Sequence, residues 1–256
     1  MKTPLIFDIK RSSTKDGPGI RTAVFFKGCN LDCFWCHNPE GKSALPQIAF
    51  FKDKCISCKS CLEICDNNKS SCTSCGKCTE ICPESARKLY GREYTVKEVF
   101  ELIRADKAYF DATGGGVTFS GGECMLYPEY VRDLAILCRS NGISVAIDTA
   151  GCVPYSSFEL ILPHVDLFLY DIKAITPSLH KRGTSQDNTL ILENLEKLIE
   201  TGKRIIIRVP VIPDFNDGNE LKKITEFCDT RNLKYELLPY HEFGIDKENA
   251  INNFKA

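Results

Sequence analysis

The amino-acid sequence predicts an α/β protein whose parallel sheet is built from about six strand–helix units. Short β-branched or aromatic runs alternate with segments in which apolar residues recur at helical spacing. Parallel strands need such crossover helices, and six units are too few for a closed eight-unit barrel. A partial barrel and an open sheet both fit this count.

The predicted strands and helices follow one another regularly. The first strand spans Thr22 to Phe26, and the next five lie in GVTFS, SVAIDTAG, DLFLYDIK, RIIIRVPVIP and KYELLPY. The helices are expected in TVKEVFELIRADKAYFDA, YPEYVRDLAILCRSNG, SSFELILPHV, NTLILENLEKLIETG and DGNELKKITEFCDTRN. Gly142 and Gly202 end two of them, because glycine readily adopts the left-handed conformation of a helix C-terminus.

The bulk composition limits the classes of partner. A net charge of -1 over 256 residues gives no reason to expect nucleic acid or an anionic membrane. No apolar run approaches the ~18–20 residues of a membrane span, and the N-terminus lacks the apolar core of a signal peptide. The protein is therefore expected in the cytoplasm.

Fifteen cysteines are unusual for this length, and eleven of them lie between Cys29 and Cys82. In the cytoplasm, clustered reduced thiols indicate metal ligands rather than disulfides. The other four are scattered and are expected to be small buried apolar side chains: Cys124, Cys138, Cys152 and Cys228.

An insert over residues 51–89 interrupts the α/β pattern and contains an internal repeat. KCISCKSCLEIC recurs 17 residues later as SCTSCGKCTEIC, so the spacing C-x2-C-x2-C-x3-C occurs twice. This ferredoxin spacing binds 4Fe–4S clusters, and in two-cluster ferredoxins the fourth cysteine of each run ligates the other cluster. Exchange of that kind gives two sets of ligands: Cys55, Cys58, Cys61 with Cys82, and Cys72, Cys75, Cys78 with Cys65.

Two alternatives stay open for the insert. One is a pair of zinc sites, although zinc sites usually pair two C-x2-C knuckles across a longer gap. The other concerns the ligand pairing, because only six residues link Cys65 to Cys72 and no proline follows Cys65. The sequence therefore predicts two closed clusters but leaves open whether the fourth cysteines are exchanged.

The loop GCNLDCFWCHNPEG follows the first predicted strand and carries three cysteines. A structural metal site is closed by four protein ligands, whereas a catalytic metal keeps one position open. Cys29, Cys33 and Cys36 can hold three irons of a 4Fe–4S cube and leave the fourth iron without a protein ligand. The chain is thus predicted to carry one open cluster beside two closed ones.

Polar motifs also follow other predicted strands: SGGE, DTAG, DIK and PYH. The C-terminal ends of parallel strands meet at one rim, and loops there build the site of a barrel or an open sheet. With the cysteine loop, five motifs converge on this rim. An active site is therefore predicted at the carboxyl ends of the strands.

The spacing of Cys29, Cys33 and Cys36 resembles the signature of radical S-adenosylmethionine enzymes, whose fold is a partial (β/α)6 barrel. The segments DGPGIRTAVFFKGCNLDCFWCHNPEG, GGGVTFSGGE, DTAG, YDIK and ELLPYHEFG are similar to those of glycyl-radical-enzyme activating enzymes. The similarity runs from about residue 16 to residue 244, outside the insert. It implies a barrel over 1–50 and 90–256 with a ferredoxin-type insert over 51–89.

The resemblance also implies how S-adenosylmethionine is bound. Its amino and carboxylate groups would chelate the open iron, and its contacts would come from Trp35, His37, Gly121, Gly122, Glu123, Asp148, Asp171, Lys173 and His241. In this assignment the glycines allow close backbone approach, Glu123 meets the amino group and Lys173 pairs with the carboxylate. Asp148 and Asp171 would also hold a monovalent cation.

Other residues have weaker support from the resemblance. Arg208 is a further candidate for a ligand contact, and Asp16 and Arg21 are family-like residues that would face the protein substrate. Each site residue also has a purely structural alternative. A carboxylate at a strand end can satisfy backbone donors, and Glu123 can be a charge at a helix N-terminus.

The implied reaction is the activation of a partner protein. Reductive cleavage of S-adenosylmethionine would give a 5′-deoxyadenosyl radical, which abstracts a hydrogen atom from one glycine of a glycyl radical enzyme. The insert clusters would relay electrons from flavodoxin or ferredoxin, or serve in docking. Three other functions stay open: a radical S-adenosylmethionine enzyme acting on a small molecule or RNA, an electron-transfer iron–sulfur protein, and a zinc-binding adaptor.

The resemblance carries one departure. The family continues with another helix after the PYH motif, but this chain ends at Ala256, 15 residues after His241. The last helix of the barrel is therefore expected to be missing.

Overall fold

The computed structural model describes residues 3–65 and 72–255. The main sheet consists of β1 (Leu5–Ser13), β2 (Arg21–Phe26), β5 (Arg92–Glu93), β6 (Gly116–Gly121), β7 (Ser144–Thr149), β8 (Leu167–Asp171), β9 (Arg204–Val211) and β10 (Lys234–Pro239). A separate antiparallel pair consists of β3 (Gln47–Phe50) and β4 (Arg87–Tyr90). The helices are α1 (Ser60–Glu63), α2 (Lys77–Glu80), α3 (Val96–Arg104), α4 (Lys107–Thr113), α5 (Pro128–Ser140), α6 (Tyr155–Ile161), α7 (Pro177–Thr184), α8 (Thr189–Glu200), α9 (Asn219–Thr230) and α10 (Phe243–Lys255).

The strand order across the main sheet is β10-β9-β8-β7-β6-β2-β1-β5. The first six of these strands are parallel, which confirms the predicted six-unit α/β fold. β1 runs antiparallel to β2, and the two-residue β5 runs antiparallel to β1. Within the described residues β10 pairs only with β9, so the barrel is partial and its β10 edge is exposed.

The central strands are apolar along most of their length, because parallel strands are covered on both faces. Their fully buried side chains include Val24, Phe26, Phe119, Ile147 and Phe168. Three of the scattered cysteines are fully buried in the same core, as predicted: Cys124, Cys138 and Cys228. Cys152 is partly buried and packs against this core.

One predicted helix is divided into two. α3 ends at Arg104 and α4 begins at Lys107, because the buried carboxylate of Asp106 turns toward the sheet. It accepts a hydrogen bond from Thr22 Oγ1 at 2.6 Å and pairs with Arg11. Such side-chain bonds compete with a continuous helical backbone.

The expectation of a missing last helix is wrong. α10 follows β10 and packs against β3 and the short turn Pro39–Gly41. Ala250, Ile251 and Phe254 are buried in this contact. The polar residues between them weaken the helical pattern of the sequence, so only the packing partner reveals the apolar face.

The repeat of the insert is visible in its backbone. α1 and α2 are single turns, and each follows a left-handed residue, Lys59 (φ 66°) or Gly76 (φ 85°). Ser57 and Ser74 form a second left-handed pair at the same offset, with φ of 57° and 55°. The six-residue link between the two repeats lies outside the described residues.

Candidate active site

The carboxyl ends of the parallel strands surround a cavity of about 270 Å³. The loop after β2 forms one wall, and residues at the ends of β6 to β10 form the others. The cavity is lined by these predicted site residues: Cys29, Cys33, Trp35, Cys36, His37, Gly121, Gly122, Asp148, Asp171, Lys173 and Arg208. The structure therefore brings most of the predicted site together at one rim.

The cysteine loop is held by its own backbone and by α7. The N–H of Cys36 donates to the carbonyl of Cys33 at 3.2 Å. The N–H of Asp32 donates to the carbonyl of Thr184 at 2.8 Å, in the last turn of α7. The C-terminal end of α7, a helix that the sequence analysis missed, therefore holds the cysteine loop in place.

Burial sets the protonation of the loop thiols. It raises the pKa of Cys29 to about 12 and that of Cys33 to about 11, and it also raises the pKa of Cys36. Metal ligation requires thiolates, so a metal group must displace these protons. Within residues 3–65 and 72–255, no three His, Cys, Asp or Glu side chains converge on a position for one metal ion. The three loop thiols line one cavity, and a 4Fe–4S cube takes its thiolates on separate irons, so the loop offers ligands for three of its four irons.

Aromatic rings form the side of the cavity next to the cysteines. Trp35 is 7% exposed and packs against Phe215, with ring centroids 4.7 Å apart. His37 stacks on His241 with centroids 4.2 Å apart and planes 20° apart. His241 is exposed and lies outside the cavity lining, so its predicted ligand contact is limited to the rim.

The side chain of His37 has a ring nitrogen that is free to form a hydrogen bond with a ligand. Its Nε2 is buried, and no described residue accepts from or donates to it. Burial lowers the pKa of His37, and the nearby His241 adds to this effect. The ring is therefore neutral near pH 7 and can donate or accept a hydrogen bond.

The glycines of SGGE bring the end of β6 against the cysteine loop. A Cβ on Gly122 would lie 2.3 Å from the carbonyl oxygen of Gly28 and 2.4 Å from that of Gly41. The next N–H, that of Glu123, donates to the Gly28 carbonyl at 2.8 Å. Only glycine allows this approach, and it leaves the backbone of Gly121 and Gly122 facing the cavity.

The carboxylate of Glu123 is buried and is not among the residues that line the cavity, and its contact with an amino group stays a prediction. It accepts hydrogen bonds from Thr149 Oγ1 at 2.8 Å and from the N–H groups of Ala150 at 3.0 Å and Met125 at 3.1 Å. Burial raises its pKa to about 7 against these bonds. Glu123 therefore fixes the turn after β7, and a strand-end carboxylate of this kind cannot be told from a ligand by sequence alone.

Two cation–carboxylate pairs lie opposite the cysteines. Lys173 Nζ is 2.6 Å from Asp171 Oδ2, and Arg208 Nη1 is 3.2 Å from Asp148 Oδ2. Burial opposes the charge of Lys173, but Asp171 and the Cys33 sulfur outweigh it and raise the pKa of Lys173. Burial also raises the pKa of Asp148, against the attraction of Arg208. Opposite charges held this way can receive the ammonium and carboxylate of an amino acid.

The segment between β1 and β2 closes the bottom of the barrel. Asp16 lines the cavity, and the carbonyl of Lys15 accepts a hydrogen bond from Arg208 Nη2 at 2.7 Å. Arg21 is 1% exposed and donates to Thr118 Oγ1 at 2.7 Å. The expectation that Arg21 faces a protein partner is therefore wrong, because its charge is buried between the amino ends of the strands.

The insert contains two further cavities that are lined by cysteines. The smaller, about 30 Å³, has four: Cys55, Cys58, Cys61 and Cys82. The larger, about 440 Å³, is lined by Cys65, Cys72, Cys75 and Cys78, and also by Cys61, which lines both cavities. Both groupings match the exchanged pairing, in which the fourth cysteine of each run joins the other run.

α10 connects the cysteine loop with the insert. A Cβ on Gly244 would lie 2.2 Å from the carbonyl oxygen of Cys36, so the helix begins directly against the loop. Lys247 pairs with the buried Glu40 at 2.8 Å. Phe254, ten residues after Gly244, lines the larger insert cavity. A helix rises ~1.5 Å per residue, so about 15 Å separate these two contacts.

Several site residues escaped the sequence analysis. Lys42, Ser120 and Tyr240 also line the central cavity. Ser120 and Tyr240 belong to the motifs SGGE and PYH, and Lys42 directly follows the cysteine loop, so their place in the sequence was a usable signal. Gly244 and Lys247 carried no such signal, because their role depends on the docking of α10.

Comparison with known proteins agrees with this arrangement. Residues 23–228 match the Radical SAM superfamily model, so the chain belongs to that superfamily. It is 42% identical to the trans-4-hydroxy-L-proline dehydratase activating enzyme of Clostridioides difficile, over 97% of this chain and 88% of that protein. It is also 42% identical to the (2S)-3-sulfopropanediol dehydratase activating enzyme of Klebsiella oxytoca, over 96% of this chain and 85% of that protein. Within the superfamily, the chain belongs to the activating enzymes of glycyl radical enzymes.

A solved structure has the same fold. Streptococcus suis SuiB bound to its precursor peptide SuiA matches 87% of this chain and 39% of that chain, with a TM-score of 0.57 and 14% identity. Membership of the activating enzymes identifies the chain as an oxidoreductase that uses a 4Fe–4S cluster, S-adenosylmethionine and a glycyl radical enzyme as partner. None of the helices in the described part of the chain is long and apolar enough for a membrane span.

Proposed function

We propose that this chain activates its partner with three 4Fe–4S clusters, one open cluster in the barrel and two closed clusters in the insert. One observation carries the proposal: three cysteines and two cation–carboxylate pairs line a single cavity of about 270 Å³. When bound, the open cluster and S-adenosylmethionine supply a carbon-centred radical by one-electron reductive cleavage.

The cysteines and charged residues have separate tasks in this proposal. Cys29, Cys33 and Cys36 ligate three irons and leave the fourth for the amino and carboxylate groups of methionine. Lys173 is charged, buried and already held by Asp171, so it can pair with that carboxylate with little loss of side-chain freedom. Asp148, beside Asp171 in the cavity lining, provides a second carboxylate for a monovalent cation.

The remaining site residues bind the nucleoside part and exclude water. Trp35 and His37 provide ring surface at the cavity wall, and His241 covers His37 from outside. The backbone of Gly121 and Gly122 can accept the methionine ammonium, because no side chain intervenes there. A dry, closely packed wall favours hydrogen abstraction by holding the reacting atoms together and away from solvent.

The two insert clusters would act as an electron relay. Its two groups of four cysteines, Cys55, Cys58, Cys61, Cys82 and Cys65, Cys72, Cys75, Cys78, supply the ligands for two closed clusters. α10 leads from the larger cavity to the cysteine loop over about 15 Å. Flavodoxin or ferredoxin is the proposed donor, and the reduced thiols fit a cytoplasmic location.

The test begins with anaerobic reconstitution of the full chain. Three cubes require about 12 irons per chain. The reduced protein should then convert S-adenosylmethionine to 5′-deoxyadenosine. Both relatives described above are named for dehydratases, so a glycyl radical dehydratase is the first partner to test for a glycyl radical signal. A fully loaded protein that fails to cleave S-adenosylmethionine would overturn the proposal.

A further inference from the structure

Arg87, the first residue of β4, occupies an unusual position in the insert. It is 8% exposed and lines both cysteine cavities. Its guanidinium carbon lies 5.1 Å from the ring centroid of Phe50 and 5.3 Å from that of Phe254. The two rings hold the planar group in place through cation–π contacts and limit its access to water.

The guanidinium carries a donor that the protein itself does not use. Nε of Arg87 is buried, and the described residues offer it no hydrogen-bond acceptor. A buried unpaired donor is costly, so its retention calls for an acceptor that the polypeptide does not contain. Both cavities that Arg87 lines are rich in sulfur, and sulfur ligands of a cluster are such acceptors.

Arg87 acts most strongly on the larger cavity. Cys78 is buried and lines that cavity together with the buried Ile48, and neither residue lines the smaller cavity. Phe254, one of the rings that hold Arg87, also lines the larger cavity. Both cavities have two exposed cysteines, Cys55 and Cys58 in the smaller and Cys65 and Cys75 in the larger, but none of the four cysteines of the smaller cavity is buried. Water screens a charge there more effectively.

We propose that Arg87 raises the reduction potential of the cluster held by Cys65, Cys72, Cys75 and Cys78 above that of the other insert cluster. Reduction by one electron makes a thiolate-ligated cluster more negative, and a nearby fixed cation in a low-dielectric setting stabilises the more negative state. Hydrogen bonds to cluster sulfurs act in the same direction. The inference rests on the proposed function, because it needs both insert clusters.

This difference in potential favours electron transfer in one direction through the insert. An electron from an external one-electron carrier would enter at the cluster of the smaller cavity, oxidising the carrier and reducing that cluster. Its transfer to the cluster of the larger cavity is then favourable, and Phe254 of α10, the helix that begins at the cysteine loop, lines the larger cavity. Arg87 is thus a positioning and tuning residue, not a ligand.

The test is a redox titration followed by electron paramagnetic resonance. The full chain with Cys29, Cys33 and Cys36 changed to Ala isolates the two insert signals. Arg87→Met, Arg87→Lys and Lys88→Met are compared in that background. Lys88 is the matched control: it is the next residue of β4, lies 4.8 Å over the Tyr90 ring and lines neither insert cavity.

With about eight irons per chain in every variant, Arg87→Met should lower the higher of the two potentials and bring it closer to the other. Arg87→Lys keeps the charge but loses Nε, so its shift should be smaller, and Lys88→Met should show none. Unchanged potentials in Arg87→Met, or an equal shift in Lys88→Met, would overturn the inference.

Loss of iron from both Arg87 variants would also overturn it, because Arg87 would then be a folding residue. If Arg87→Met alone loses iron, an unchanged potential in Arg87→Lys decides against the inference. Absence of insert iron with Arg87 intact would instead refute the proposed clusters.

Discussion

The cysteine loop and the insert use the same side chain in two different settings. In the loop, Cys33 is 8% exposed, and the three thiols face a cavity that also holds Lys173 and Arg208. In the insert, at least four cysteines line each of two cavities, and Cys55 and Cys58 are exposed. In the proposed function, ligand number and surroundings, rather than ligand type, distinguish the site for a reacting molecule from the sites for electrons.

The largest expected effect comes from comparing the same cysteine substitution in the loop and in the insert. Cys33→Ser should abolish cleavage of S-adenosylmethionine and leave about eight irons per chain. The matched change Cys75→Ser should remove about four irons, yet chemically reduced protein should still cleave, because the open cluster is intact. Iron analysis and a 5′-deoxyadenosine assay measure both. The proposed difference between loop and insert would be contradicted if Cys33→Ser still cleaved S-adenosylmethionine. It would also be contradicted if Cys75→Ser lost cleavage while its loop iron stayed intact.

The sequence predicts the strands and helices of the barrel in which apolar residues recur at a regular spacing. The six parallel strands and the rim motifs were recovered because apolar runs and strand-end polar groups are local signals. α7 and α10 were missed, because their structure depends on partners far along the chain. β1 was missed although it pairs with the adjacent β2, because burial does not alternate along it. α7 has only His180, Gly183 and Thr184 buried, so it lacks a regular apolar stripe.

Residue roles were harder to predict than residue positions. Glu123 and Asp148 both follow strands as carboxylates, yet only Asp148 lines the cavity. Arg21 lies in a motif next to the site, but its guanidinium turns to the opposite end of the strands. The direction of a side chain depends on the strands around it, and a single sequence contains no such information.

The next largest effect concerns the charges that only the loop region has. Lys173→Met should weaken binding of S-adenosylmethionine, since it removes a buried cation and leaves Asp171 unpaired. Truncating one member of a buried charge pair costs about 2–5 kcal/mol, which corresponds to at least ~30-fold in Kd. Equilibrium dialysis with the reconstituted protein measures this. Lys181→Met, on the exposed part of α7, is the control, and an unchanged Kd in Lys173→Met would contradict the assigned pairing.

A smaller effect is expected where α10 meets the cysteine loop. In Gly244→Ala, the new Cβ would lie 2.2 Å from the Cys36 carbonyl oxygen, so either helix or loop must shift. Overpacking of this kind costs about 1–3 kcal/mol. The variant should lose loop iron more readily than insert iron during timed chelation. Gly218→Ala, where nothing lies within 4 Å, should behave as wild type; equal chelation in both would show that α10 does not support the loop.

The smallest effect comes from the ion pair that fixes the same helix. Lys247→Met leaves the buried Glu40 without its cation and should reduce the free energy of unfolding by about 1 kcal/mol. Lys223→Met breaks a similar pair with Glu220, but far from the loop. Both should lower the melting temperature, and only Lys247→Met should speed the loss of loop iron. Identical chelation rates would mean that the Lys247 pair stabilises the fold alone.

The central claim is that the three-cysteine loop leaves one iron for S-adenosylmethionine, whereas the insert leaves none. The most direct measurement is electron–nuclear double resonance on reduced protein with S-adenosylmethionine labelled with ¹⁵N at its amino group. A hyperfine coupling from that nitrogen is expected on a cluster signal that persists in Cys75→Ser and is absent from Cys33→Ser. No coupling in the fully loaded protein, or coupling that survives Cys33→Ser, would contradict the claim.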